Sequence, residues 1–374
     1  MHLSDLARQP QAENRGAAAL NLNWLQPMGL FGLSAYNYVM RILTLGVYHF
    51  WGKTEVRKRI WSATRINGEP LEYIGTGREL FLGFMMIFGI VLLPVLLLSF
   101  AAVVAFGPQS PWLVALQIAI YAIFFLLAGV ATYRAQRYRL SRTRWRGIRG
   151  SLVGDSWHYG LTHFWTGLLI PLTFGWIIPW RSTKLQSLVV RDMRFGDKPF
   201  TFDATTGPLY LRFALLWVGS VAIMSVATSV IMGVVMADIG QFRPYQPRIA
   251  TITPGAIAVI ILVAVVAYLL YAVVSAWYRA GQINHFAAHT QFDGATFRST
   301  VTAGGLMWLT VSNFLIVLFS LGMLVPIAQT RAARYYIEHL TMGGAVALDG
   351  ILQGPDQYIT KGEGLAQAFD VDAF

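Results

Sequence analysis

Few residues in this chain have the type and spacing to do chemistry. His285 and His289 lie four apart, so on a helix they share a face and could supply two ligands to a tetrahedral zinc ion. A third ligand would have to come from elsewhere, and no His-Glu-x-x-His pattern surrounds them, so no metal and no cofactor is expected. Asp155, Ser156 and His158 make a polar cluster in a loop. There is no Gly-x-Ser-x-Gly, phosphate loop or dinucleotide fingerprint, so no catalytic residue is assigned and an enzyme is not expected.

Charge inside apolar sequence is the sharper signal. Arg41 stands five residues before Gly46 within an apolar segment, where an ionisable group is a candidate site by default. It is read either as an anion-binding or gating charge or as a side chain snorkelling to lipid phosphate. His49 and His163 are read as interfacial hydrogen-bonding residues. Seven arginines, Arg134, Arg137, Arg139, Arg142, Arg144, Arg146 and Arg149, fall within 16 residues. That density suits nucleic acid, but a juxtamembrane position suits anionic lipid at least as well. Contacts to anionic headgroups are therefore expected at Lys53, Arg57, Lys58, Arg59, Arg134, Arg137, Arg139 and Arg142, and nucleic acid is not expected.

The elements that must carry these residues are mostly membrane helices. The chain has 374 residues, of which 55% are hydrophobic and only 13% charged, about half the charged share of a soluble domain. Runs at 80–106, 112–133, 213–237 and 255–278 hold scarcely a charge. Each is long enough to cross about 30 Å of hydrocarbon as a helix. A β-barrel would instead show alternating strands of about 10 residues.

Three weaker apolar segments, 35–51, 161–180 and 306–328, share a pattern: Leu43-Thr44-Leu45-Gly46, Leu172-Thr173-Phe174-Gly175 and Phe319-Ser320-Leu321-Gly322. Pro179 and Pro326 follow four residues after two of the glycines, and Trp51 and Trp180 lie five after two of them. Lys and Arg collect on the cytoplasmic side. If all seven segments span, 18 such residues fall inside and 9 outside; if the three weak ones re-enter, 25 fall inside and 2 outside. The second arrangement is preferred, with Gly and Pro breaking each segment. A simple span at 306–328 is the alternative.

A second pattern lies in the basic regions. Asn67-Gly68, Arg146-Gly147, Gly196-Asp197, Asp293-Gly294 and Gly343-Gly344 each sit between short strand-like stretches. The five are expected to be hairpins pairing into one cytoplasmic sheet or cap. The fold class read from sequence is thus an all-α polytopic membrane protein, with four spans, three re-entrant segments and hairpins from an internal repeat. Residues 1–28 are read as a flexible cytoplasmic arm, 29–350 as the repeated membrane domain and 351–374 as a tail. Ser225, Ser229 and Gly233 recur every four residues, as in close helix packing, so a homo-oligomer is one reading.

The stretch Leu43-Thr44-Leu45-Gly46-Val47-Tyr48, with Trp51-Gly52-Lys53, Val56-Arg57-Lys58-Arg59 and Asn67-Gly68, resembles the YjgN family of bacterial inner-membrane proteins. The likeness runs over about residues 29–350; the third copy departs from it with Ile327 where the others have Trp51 and Trp180. The resemblance implies an inner membrane, with both termini cytoplasmic on the charge argument above, and no activity. From architecture alone a transporter, channel or lipid-handling protein is expected, with Gly46, Gly175, Gly322, Arg41, Pro179 and Pro326 as the residues to watch. The alternative is a non-transporting scaffold or sensor that acts through its basic hairpin cap.

Overall fold

A computed structural model describes residues 17–240 and 252–354. The chain opens with two short strands, β1 (Ala17–Ala19) and β2 (Leu22–Trp24). The first helix pair is α1 (Leu30–Leu43) and α2 (His49–Ala63), followed by β3 (Thr64–Ile66), β4 (Glu69–Pro70) and β5 (Glu72–Tyr73). A long apolar helix comes next, made of α3 (Gly77–Ile87), a π turn (Phe88–Leu92) and α4 (Leu93–Phe106). The wide turn lies just before Pro94, whose ring and missing N–H disturb the regular ladder. The chain then returns through α5 (Pro111–Ser141) into β6 (Thr143–Trp145) and β7 (Ile148–Leu152).

The second helix pair is α6 (Ser156–Leu172) and α7 (Ile178–Asp192), leading into β8 (Met193–Phe195) and β9 (Lys198–Phe202). Two more long helices follow, α8 (Gly207–Gly240) and α9 (Pro254–Ala288), then β10 (Thr290–Phe292) and β11 (Ala295–Ser299). The third pair is α10 (Ala303–Phe319) and α11 (Val325–Glu338), ending in β12 (Leu340–Gly343) and β13 (Ala345–Ala347). Four helices, Gly77–Phe106, Pro111–Ser141, Gly207–Asp238 and Pro254–Ala288, are long and apolar enough to cross a membrane. They extend the sequence-read runs by several residues, and the protein is a membrane protein. The sheets correct the all-α expectation: thirteen strands are present among the described residues.

The strands form one cap. An antiparallel sheet runs β12-β11-β10-β9-β8-β7-β6-β5, and a second runs β2-β3-β4. The two sheets adjoin at Leu71, between β4 and β5, whose N–H bonds to the Thr64 carbonyl at 2.9 Å. β2 pairs with β3, while β1 pairs with β13, Ala17 opposite Ala347. Residues 17–24, placed by sequence in the loose arm, therefore link the two ends of the cap. Residues 1–16 lie outside the described part. A single core joins the hairpins: Leu20, Trp145, Phe292, Ala295, Val346 and Ile351 are buried together, with Ile66, Phe195, Phe297 and Met342 against them.

Turn chemistry explains the hairpins. Asn67-Gly68, Arg146-Gly147 and Asp293-Gly294 each have two consecutive positive φ values, the mirror-image turn that matches strand twist. The β8–β9 turn differs. There only Gly196 has positive φ, and the Asp197 N–H and carboxylate bond to the carbonyl and N–H of Leu352. Residues 351–354, read from sequence as part of the tail, thus lie across this turn with Ile351 buried in the core.

The three helix pairs turn in one way. Gly46, Gly175 and Gly322 have φ of 93°, 86° and 85°, and the residue before each is also left-handed. Each glycine N–H bonds five residues back, to Arg41, Ile170 and Val317, at 2.7–2.8 Å, which closes the first helix in a Schellman-like cap. Thr44, Thr173 and Ser320 then accept from the backbone N–H four residues on. Pro179 and Pro326 do not make the break. They occupy the first turn of α7 and α11, where a missing N–H costs nothing. Both ends of every pair run into cap strands, α1 following β2 after residues 25–29.

Candidate functional site

The residues with functional potential gather where the third helix pair meets the first. α11 packs on α1 and α2, through Ala333 against Val56 and Ile60. Beside that contact lies a cleft of about 290 Å³ lined by Ser34, Asn37, Arg41, His49, Lys53 and Gln329, with Gly322, Met323 and Pro326 at its end. Arg41 reaches it from the last turn of α1, where a cation also suits the helix dipole. His49 and Lys53 reach it from the first turns of α2. The Arg41 carbonyl accepts from Gly46, and its guanidinium makes no hydrogen bond or ion pair with another described residue.

Two buried polar groups face this cleft without partners. Ser34 is 1% exposed and Asn37 5% exposed. Asn37 donates from Nδ2 to the Gly52 carbonyl at 3.4 Å, and Gly52 is needed there because a side chain would press on the Asn37 amide. The Asn37 Oδ1 and the Ser34 Oγ have no hydrogen-bond partner among the described residues. An orphaned buried acceptor costs about 1–3 kcal/mol, so such groups call for an explanation.

The remaining expected residues are distributed otherwise. The cleft reaches Gly322 and Pro326; Gly46 and Gly175 are not in its lining. Nothing stands within 4 Å of a side chain built on Gly46 or Gly322, so those two glycines serve the turn. Pro179 is fully buried and its carbonyl accepts from Thr183 and Ser182. Leu45, Phe174, Phe319 and Leu321 around the three turns are each about four-fifths exposed or more.

The set expected to touch anionic lipid divides. Lys53 lines the cleft, and Lys58 is exposed beside Glu55 at 3.1 Å. Arg57 does not fit the expectation: it is 3% exposed and donates to the Tyr73 hydroxyl at 3.2 Å. Arg59 holds the Met28 carbonyl. Arg134 bonds Ser156, Arg137 bonds the Gly154 carbonyl and stacks on Tyr133, and Arg142 pairs with Glu79. Arg139 is half-buried in the same stretch. Arg144 and Arg146 pair with Glu72 and Glu69, tying the second hairpin to the first. Much of the basic stretch is therefore internal stitching, because carboxylates and carbonyls from distant segments come within reach only in the fold.

The histidine pair is likewise occupied. His285 Nε2 lies 2.7 Å from the Thr205 carbonyl, and His289 Nδ1 lies 2.8 Å from the His285 carbonyl. Asp155 caps α6, accepting from the N–H groups of Trp157 and His158. Ser225, Ser229 and Gly233 line a shallow groove along one face of α8.

Sequence reasoning passed over Asn37, Ser34 and Gln329. A signal for Asn37 existed: it stands nine residues before Gly46, as Asn313 stands nine before Gly322.

No curated protein and no solved structure matches the chain. A family model described as a bacterial protein of unknown function matches residues 27–368. That span covers nearly all of the described structure, including the cleft, the three helix turns and every cap hairpin, so the chain belongs to the DUF898 family, also known as YjgN.

Proposed function

We propose that this protein handles lipids, holding the headgroup of an anionic amphiphile in the cleft between the first and third helix pairs. The observation that carries this is the convergence of Arg41, His49 and Lys53 on a cleft whose lining also includes Gly322, next to the exposed apolar Leu321. A phosphate would meet the cations while acyl chains run out past Leu321 and Phe319 into hydrocarbon.

The topology that accompanies this reading has four spans and three re-entrant pairs built on an internal repeat. The cap and both termini face the cytoplasm of a bacterial inner membrane. Support for shallow re-entry comes from the second pair. Its turn carbonyl, Phe174, accepts from Trp217 at 2.7 Å, and Trp176 stacks on Tyr210 and meets the Trp217 ring at a tilt of 45°. Trp217 is five residues beyond Arg212 on α8, about 7.5 Å of helix rise. Such a depth suits an aromatic belt at the headgroup boundary. A midplane transport site needs helices packed around it, whereas the apolar windows of α8 and α9 are 0% buried. The scaffold reading loses weight because Arg144 and Arg146 of the cap pair with carboxylates of the same chain.

The test is lipid retention by the purified full chain in micelles, followed by native mass spectrometry. Wild type should keep an anionic phospholipid, and Arg41→Gln with Lys53→Gln should lose it at least about tenfold, as expected for charge-assisted contacts. Equal retention of anionic lipid and neutral diacylglycerol would overturn the proposal.

A further inference from the structure

The first and third helix pairs can be laid on one another at their glycines. Asn37 and Asn313 stand nine residues before Gly46 and Gly322, and Gly52 and Ala328 stand six after. The amides do the same work: Asn37 donates to the Gly52 carbonyl, and Asn313 to the Ala328 carbonyl at 3.0 Å. The acceptor ends differ. Asn313 Oδ1 accepts from Arg331 at 3.0 Å, and the same guanidinium also reaches Ser312. Arg331 is nine residues after Gly322, and the matching position in the first pair is Glu55. A carboxylate has no proton to give, and Glu55 pairs with Lys58 instead. The second pair places Thr166 at the Asn position, and its hydroxyl is satisfied by the Thr162 carbonyl at 2.6 Å.

One of the three pairs therefore carries the amide without its internal donor, and that pair is the one that brings Arg41 and Lys53 to the cleft. We infer that the missing donor comes from the ligand, so that the headgroup is an anionic phosphodiester bearing a free hydroxyl, of the phosphoglycerol kind, with its hydroxyl on Asn37 Oδ1 and its phosphate toward Arg41 and Lys53. An ammonium could also donate. It would however share the cleft with Arg41 and Lys53, and like charges repel. A fully ionised phosphate monoester has no proton to give and would leave the buried oxygen unpaired. The inference rests on the lipid-handling reading and names its ligand class.

Native mass spectrometry of the full chain, offered phosphatidylglycerol, phosphatidylmethanol and phosphatidylethanolamine in equal amounts, separates the terms. Phosphatidylmethanol has the same charge and no hydroxyl. Wild type should prefer phosphatidylglycerol over it by roughly fivefold to tenfold, the worth of one buried hydrogen bond. Asn37→Leu should bring that ratio near one. Glu55→Arg, at a half-exposed position, restores the donor seen in the third pair and should also abolish the preference. It keeps the test decisive if Asn37→Leu fails to fold. An unchanged preference in either folded variant overturns the inference while leaving the lipid reading intact. Loss of all anionic lipid from wild type refutes the lipid reading and this inference with it. Displacement of phosphatidylglycerol by soluble glycerophosphoglycerol at equal concentration would overturn the lipid as the source of the headgroup.

Discussion

The cap and the spans bury their apolar surface against different things. In the cap, Ala295 and Val346 are 0% exposed, and Phe292 meets Phe195 and Phe200 in a core drawn from many hairpins. In the spans, the most apolar window is 6% buried in Gly77–Phe106, 17% in Pro111–Ser141 and 0% in the other two. The cap is held by water-driven burial. The spans face acyl chains as apolar as themselves, so their packing gains little from the hydrophobic effect. It follows that the identity of the fold is written in the cap and the helix pairs, while the spans need only remain long and apolar.

The sharpest test of that contrast pairs two truncations. Phe292→Ala should destabilise the cap by about 3–5 kcal/mol, the usual cost of deleting a buried ring. Leu97→Ala, at a side chain 60% exposed on a span, should stay within about 0.5 kcal/mol. Denaturant unfolding in micelles, read by protease resistance of the cap, compares the two; similar losses would erase the distinction. A smaller effect is expected at the helix turns. Gly46→Ala and Gly322→Ala force a side chain into left-handed backbone with no neighbour to strike, so each should cost about 1–2 kcal/mol and the two should match. A much larger loss at Gly322 would mean that the cleft, and not the turn, requires glycine.

The smallest effect is on the cap surface. The Arg146 guanidinium, by its hydrogen bond, holds the Glu69 carboxyl below its ordinary value. A depressed carboxyl contributes stability above its unfolded pKa, about 4.3, and that contribution disappears as pH falls through the lower folded value. Cap stability measured from pH 6 down to pH 3 should therefore decline slightly less in Glu69→Gln than in wild type. Equal slopes would show the pair to be solvent-screened to nothing, as exposed pairs often are.

Much of this division was legible in the sequence. The four long apolar helices announce themselves because hydrocarbon tolerates so little else, and the glycine shared by the three weaker segments marks a break in each. Asn67-Gly68 and Asp293-Gly294 carry their hairpin geometry in the residue types. What could not be read depends on partners far away in the chain. Ala17–Ala19 has no turn beside it and becomes a strand only because Ala345–Ala347 offers an edge. Arg57 looks like any juxtamembrane cation until Tyr73 folds over it. Asn37 looks like a stray polar residue in an apolar helix until its counterpart Asn313 is seen with a donor that it lacks.

The pairing of β1 with β13 has a consequence for biosynthesis. These strands are about 330 residues apart in the chain. At the usual 5–20 residues per second, the ribosome needs roughly 20 to 60 s between making the first and making the last. Through that interval the N-terminal edge has no mate, and open strand edges invite wrong pairings. The cap can be sealed only after the final helix pair has been made, so its closure reports that the chain has been synthesised through β13.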